Sequence, residues 1–371
     1  MVFVQFAVST ILLIGIFTVT KQLKFIQNKD LGYQKENIVY LPFNGMADQY
    51  HTFKRELLNL PNINGVTAKN SLTIEIADKT TDLYWPGKEE NQEVFIEATG
   101  VDYDYFSTMG LNMVEGRCFS VDFLTDKGGL VVNQDALIKM GLTNAIGQKV
   151  NLWGFDLEVI GVVNNANFYS LKETIGPQAY YLIENCDETE LDEYGVILIK
   201  IAGNYTNQTF ASIEKIWTKL NPEVPFELNF LDSAVNHLYV SEKRLAKLVQ
   251  YFTILSILIS CLGLLGITNL AVRECTKEIG IRKVNGAKRS EILIMINTNY
   301  AKWVITAFFI ACPMAWIILK KWLEEFAYRT QLNWWIFFAS GLSLLLISSI
   351  TVSLQSWRAA SRNPVESLRY E

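Results

Sequence analysis

Residues 273–293, RECTKEIGIRKVNGAKRSEIL, decide how the rest of the chain is laid out. Six basic side chains (Arg273, Lys277, Arg282, Lys283, Lys288 and Arg289) stand among three acids (Glu274, Glu278 and Glu291), and the runs on either side are uncharged. Short loops rich in Lys and Arg are retained on the cytoplasmic side of a membrane. The stretch 273–293 is therefore expected to be a cytoplasmic loop between two membrane helices.

Working outward, Leu248–Val272 holds 25 residues without a charge. As a helix it would reach about 37 Å, more than the ~30 Å of a hydrocarbon core. After the basic loop, 294–319 is expected to be a further span, with Lys302 snorkelling to the inner interface and Pro313 as a kink point. Residues 320–329, with Glu324, Glu325 and Arg329, form an outer loop. Residues 330–357 make the fourth span, with Trp334 and Trp335 as interfacial aromatics, and the tail 358–371 returns to the cytoplasm with Arg358, Arg362 and Arg369. At the other end, residues 1–20 contain no charge and form the first span. The competing reading, a cleaved signal peptide, lacks the basic leader and the small-residue cleavage site it needs.

The remaining residues, 21–247, are placed outside the cell membrane. They carry 20 Lys and Arg against 31 Asp and Glu, a net of −11, whereas the rest of the chain carries 13 against 7, a net of +6. Half the residues are hydrophobic and the mean hydropathy is +0.16, which suits a membrane region joined to a separate folded domain. An acidic exterior argues against nucleic acid as a partner.

Within 21–247, Lys21–Tyr33 is expected to prolong the first helix as a stalk until Gly32, and Asp232–Lys247 to lead back into the membrane. Asn37–Leu41, Asp48–Leu60 and Val66–Asn70 read as strand, helix and strand; Val196–Ile201, Thr206–Leu220 and Phe226–Phe230 repeat the pattern. The fold expected is four transmembrane helices plus an extracytoplasmic α+β domain. That domain would be a ferredoxin-like, porter-like β-α-β layer interrupted by a mixed α/β subdomain at about 93–184. The insertion shows strand signals at Glu93–Thr99, Leu130–Asn133, Lys149–Trp153 and Leu157–Val163, and short helices at Tyr103–Met109 and Gln134–Met140.

Residues that could carry chemistry are sparse. The five cysteines (Cys118, Cys186, Cys261, Cys275 and Cys312) show no CxxC spacing and there are two histidines, so neither a metal site nor a redox site is expected. Whether Cys118 and Cys186 pair is open from spacing alone. His51 and His237 fall in helical patterns without a nearby nucleophile and read as surface or packing residues. No GxxxxGK[ST] loop and no LSGGQ-like run occurs, so no cofactor or nucleotide site is expected and the chain reads as non-catalytic.

KEIGIRKVNGAKRSEIL (277–293) closely resembles the signature of the FtsX-like, MacB-type permease subunits of ABC transporters. The ends of those permeases are similar to RAASRNPVESLRYE (358–371), and KWLEEFAYR (321–329) and GRCFS…VVNQDALIKMGL…AIGQKV…VIGVV (116–163) resemble other parts of the family. The opening of the chain is similar to the start of the second repeat in double-length permeases. The resemblance implies that Glu278, Gly280, Ile281, Arg282, Lys283, Gly286 and Ala287 form a coupling helix that fits a cleft in an ABC-type ATPase on a separate polypeptide. It further implies a bacterial inner-membrane location and a second permease half or a homodimer. A periplasmic adaptor and an outer-membrane channel are additional implied partners. Export, extraction or efflux of an unidentified substrate is the activity so implied. The alternative is a membrane-anchored sensor or regulator of cell-wall hydrolases without transport.

Overall fold

A computed structural model describes residues 2–72, 79–89, 92–142, 144–203, 205–274, 278, 281–282 and 285–360, without the side chains of Arg273, Arg289, Arg358, Ala359 and Ala360. It forms two compact units: Lys29–Val240, built on a sheet, and Met1–Asn28 with Ser241–Glu371, built from helices.

The helical unit begins with α1 (Val2–Asn28), which runs unbroken past Lys21 and Lys24 and stops four residues before the expected stop at Gly32. Gly32, with φ of 81°, has another use: a Cβ there would collide with the Asn165 carbonyl, so the loops of the sheet unit close only over a glycine.

The sheet unit follows in chain order as β1 (Ile38–Pro42), α2 (Tyr50–Leu58), β2 (Ile63–Lys69), β3 (Lys79–Thr80), β4 (Leu83–Tyr84), β5 (Ile96–Val101), α3 (Tyr105–Met109), β6 (Met113–Gly116), β7 (Gly129–Asn133), α4 (Gln134–Met140), β8 (Lys149–Leu152), β9 (Phe155–Val163) and β10 (Gln178–Leu182). Then come α5 (Glu188–Tyr194), β11 (Val196–Ile201), α6 (Asn207–Leu220), β12 (Asn229–Phe230) and α7 (Leu231–His237). β12, β1, β11 and β2 lie side by side, each antiparallel to the next. This is the ferredoxin-like arrangement that two interlocked β-α-β units produce.

One face of these strands is closed by α2 and α6. Phe53 and Leu57 of α2, and Ile213 and Trp217 of α6, recur four residues apart and so point the same way; all are buried against Val39, Leu41, Val66, Ile197 and Ile199. α6 starts where it does because Thr206 and Thr209 cap its first turn reciprocally.

The insertion does not stand apart from this layer. β5 joins β2 through the pair Lys69 and Val101, and the sheet continues as β10, β7, β9, β8 and β4. β10, QAYYL, is buried along its whole length, so it lacks the alternation that betrays a half-buried strand. Strand pairing also reaches back before residue 93: β3 pairs with β5 and β4 with β8.

Several buried polar groups here are paired. Asn133 accepts the amide hydrogens of Ala136 (2.8 Å) and Gln178 (2.9 Å), and donates to the Gly176 carbonyl (2.9 Å), capping α4 and holding β10 in place. Lys69 and Glu97 are both buried and 4.0 Å apart where β2 meets β5, and Gln178 donates to the second Glu97 oxygen at 3.0 Å. Arg117 grips the fully buried Asp126 with two bonds of 2.6 Å. Burial alone would raise the Asp126 carboxyl, but the Arg117 hydrogen bonds outweigh it and hold the group below the usual carboxylate range. Cys118 and Cys186 are both free thiols.

The helical unit resumes with α8 (Val240–Glu274), α9 (Arg289–Leu323) and α10 (Trp334–Ala360). Among the described residues four stretches, Val2–Asn28, Val240–Val272, Ser290–Leu323 and Trp334–Trp357, are long and apolar enough to cross a membrane. α9 continues through Pro313 as one helix. Trp334 and Trp335 are exposed with stacked rings 4.0 Å apart, as suits an interfacial pair. Hydroxyls and amides fasten the helices where apolar burial gives little drive. Ser9 bonds Ser256 (2.7 Å) and Ser260 (3.1 Å), and Asn297 donates to Ser353 at 2.9 Å. The buried Gln22 of α1 donates to the Tyr328 carbonyl and accepts from the Thr330 amide, at 2.9 and 2.8 Å, binding the α9–α10 loop.

Replacing Asp126 with Ala is expected to lower the unfolding free energy of the sheet unit by about 2–3 kcal/mol at neutral pH. The value sits below the ~3–5 kcal/mol of a fully buried pair because Arg117 stays partly in water. Folding depresses the affinity of Asp126 for a proton, so its contribution is present above the unfolded value of about 4 and vanishes as pH falls through the folded one. Urea midpoints of wild type and variant should therefore converge in acid; a constant gap down to pH 3 would contradict this account. Gln22→Leu should strand a carbonyl and an amide, each worth about 1–3 kcal/mol, and trypsin should then cut after Arg329 faster. An unchanged cleavage rate would count against the clamp.

Candidate functional site

Between α8 and α9 the chain must turn back within fourteen residues, 275–288. Of the seven positions expected to form the coupling element, Glu278, Ile281, Arg282, Gly286 and Ala287 are described; Gly280 and Lys283 lie outside the described residues.

Glu278, Ile281 and Arg282 are helical. Arg282 donates to Glu278 at 2.6 Å across one helical turn, a spacing at which opposite charges meet. Both side chains are about half exposed, so the pair contributes only ~0.3–0.5 kcal/mol. The helix ends with the Asn285 amide bonded to the Ile281 carbonyl at 3.0 Å and the Ala287 amide bonded to the Arg282 carbonyl at 2.9 Å. Gly286 takes φ of 86° between them, the left-handed residue that this kind of helix stop requires. The next helix starts two residues later, where the Glu291 carboxylate accepts the Lys288 amide hydrogen at 3.2 Å.

The element thus presents an ion pair and a half-exposed isoleucine, Ile281, on a short, sharply terminated helix. Such a surface can enter a cleft and be held by charge and one apolar contact.

The sheet unit holds polar clusters that the sequence did not signal, because their members are far apart in the chain. Asp102 accepts from the Tyr50 hydroxyl, from Lys54 (2.7 Å) and from the Tyr103 amide (2.8 Å). Burial first, and Asp102 second, push the Tyr50 phenol well above its usual value. A phenol held so firmly protonated is a hydrogen-bond donor and not a base. His51 and His237 are exposed, and the His51 ring lies 5.4 Å from that of Tyr50.

Two family models match the chain. The MacB-like periplasmic core domain matches residues 5–216, and the FtsX-like permease C-terminal domain matches residues 251–364. A macrolide export ATP-binding/permease protein MacB of Bartonella henselae is 24% identical over 242 residues, 64% of this chain and 35% of the relative. A probable export ATP-binding/permease protein MacB of Pseudomonas entomophila is 25% identical over 238 residues, 61% of this chain and 35% of that one. The chain spans about a third of the length of the curated relatives it matches. The crystal structure of the periplasmic region of MacB from Actinobacillus actinomycetemcomitans, 17% identical, aligns with 58% of this chain and 98% of its own, with a TM-score of 0.39. With one model covering more than half the chain and the other following it in order, the chain belongs to the FtsX/MacB-type family of ABC permeases.

Proposed function

We propose that this chain is a permease subunit that converts ATP hydrolysis by a separate ABC-type ATPase into a change of shape in its sheet unit, driving export, extraction or efflux of a substrate. The observation that carries this reading is the charged turn carrying Glu278, Ile281 and Arg282, which lies between two 35-residue helices and is closed by Gly286. Glu278, Gly280, Ile281, Arg282, Lys283, Gly286 and Ala287 are the residues assigned to the ATPase cleft.

The argument is mechanical. α1 ends at Asn28 and α8 begins at Val240, so the sheet unit is tied to the membrane helices at both of its chain ends. A push on the turn before α9 is passed along helices whose backbone is bonded internally apart from Pro313, and such rods tilt more readily than they compress. The topology that goes with it places the turn in the cytoplasm, the sheet unit in the periplasm and the four helices in the inner membrane. Export relatives carry ATP-binding and permease functions under one name; here the ATPase, a second permease half or copy, an adaptor and an outer-membrane channel are assigned to other chains.

Two outcomes test the reading. Gly286→Val forces a branched side chain into a left-handed backbone at a cost of about 1–2 kcal/mol, and Arg282→Glu reverses the exposed charge. Each should reduce stimulation of the partner ATPase at least about tenfold, the effect of 1.4 kcal/mol, while the urea midpoint of the sheet unit stays put. Full stimulation in both variants rejects the assignment. In a chain with all five native cysteines replaced, Asn285→Cys should react with a membrane-impermeant maleimide only after the cells are opened; labelling of intact cells inverts the topology.

A further inference from the structure

The β8–β9 hairpin turns on two residues, Trp153 and Gly154, enclosed by the paired Leu152 and Phe155. Both have positive φ, 52° and 87°. Turns of this kind favour Asn-Gly or Asp-Gly, and a bulky residue in the left-handed region costs about 1–2 kcal/mol. Trp153 is held there all the same. Its indole N–H donates to the Thr80 hydroxyl at 3.1 Å, and its ring meets Tyr181 of β10 at 5.6 Å and 89°.

In that position Trp153 lines a cavity of about 420 Å³ together with Tyr181 and with Asp187 and Glu190 at the start of α5. The volume lies in the range of small-molecule sites. Three carboxylates, Asp156, Asp187 and Glu190, face one cation, Lys127. Lys127 is already engaged, 3.0 Å from Glu184. Among the described residues none of the three carboxylates has an ion pair. The Thr189 amide, 2.8 Å from Asp187, keeps that carboxyl below its usual range and so ionised. Cys186 also borders the space, but burial pushes its thiol up to about 11, so it is a protonated bystander at neutral pH.

We propose that this cavity binds an organic cation with an apolar body, a quaternary ammonium or protonated amine whose apolar part lies against Trp153 and Tyr181 and whose charge faces Asp156, Asp187 and Glu190. The faces of aromatic rings attract cations, and carboxylates without an ion pair, Asp156 and Asp187 being held in place by the Asn151 amide and the Thr189 backbone N–H at 2.8 Å, supply the counter-charge. Neither an anion nor a neutral molecule makes use of both features. The proposal stands apart from the coupling reading, since it involves no residue of 278–287.

The test uses the full chain in lipid nanodiscs and saturation-transfer NMR with three water-soluble probes: benzyltrimethylammonium, benzyl alcohol and benzenesulfonate. Saturable binding is expected for the cation alone. It should weaken at least about fivefold, as for loss of a cation–π contact, in Trp153→Asn and in the double variant Asp156→Asn with Glu190→Gln. Asn suits the turn, so Trp153→Asn should keep or raise the urea midpoint while binding is lost. No saturable binding of the cation, equal binding of benzyl alcohol, or unchanged affinity in both variants overturns the proposal. ATPase stimulation is not a readout here, so either result leaves the coupling reading to its own test.

Discussion

A hydrocarbon core offers no partner to a peptide N–H or C=O, and that single deficit shapes this molecule. Each backbone group in a span must bond within its own segment, so the apolar stretches become uninterrupted helices. α1, α8 and α10 obey it over 27 to 35 residues, and α9 does so over 35 except at Pro313, which has no N–H to donate. Once backbone bonding is internal, side chains are left to hold one helix to another. Apolar burial distinguishes poorly between a neighbouring helix and lipid, so serines, threonines and asparagine are used as fasteners, and Gly341 is needed where a Cβ would meet the Phe308 ring at 2.6 Å.

The sheet unit meets the same demand in water by a different route. The twelve strands among its described residues share one sheet, and the pair Lys69 and Val101 carries the ladder from the ferredoxin-like half into the inserted half. Sealing that seam puts Lys69 and Glu97 in the interior. Gln178 bonds Glu97, and Lys69 lies 5.1 Å from the centre of the Phe168 ring, so the charges are not left bare. A seam held by polar partners favours one register, because sliding β5 by a residue would turn Glu97 to the opposite face.

Much of this was legible from residue spacing. The uncharged runs mark the four helices, and Phe53, Leu57, Ile213 and Trp217 mark the buried faces of α2 and α6. Strand β10 was not legible, because QAYYL is buried on both faces and carries no period of two. Strands β3 and β4 are two residues each, too short for any period to register. The joining of the insertion to the main sheet was hidden for another reason: it depends on pairing between residues far apart in the chain, which a local pattern does not encode. At the candidate site, Gly286 was legible as a helix stop, since few other residues accept its φ. The ion pair of Glu278 and Arg282 follows from their spacing of four. The cavity beside Trp153 was not legible, because its walls come from β8, β9, β10 and α5.

A limit on helix stability bears on how the turn before α9 would work. Helices shorter than about 12 residues are marginal in water, since nucleation costs more than a few bonds return. One exposed ion pair and one glycine stop, together about 1 kcal/mol, do not make such a turn rigid by themselves. A force-bearing element needs support on both sides. On the membrane side it has α8 and α9, anchored through Leu264, Ile292 and Ile296 in one buried cluster. On the other side Ile281 and the charges of Glu278 and Arg282 are exposed, and in the proposed reading a partner's cleft supplies the missing burial. In the proposed reading, then, the turn gains its stiffness when it is gripped. Burying a half-exposed isoleucine yields about 1 kcal/mol, comparable to what the turn has on its own, so an engaged partner and a stiff lever arise together.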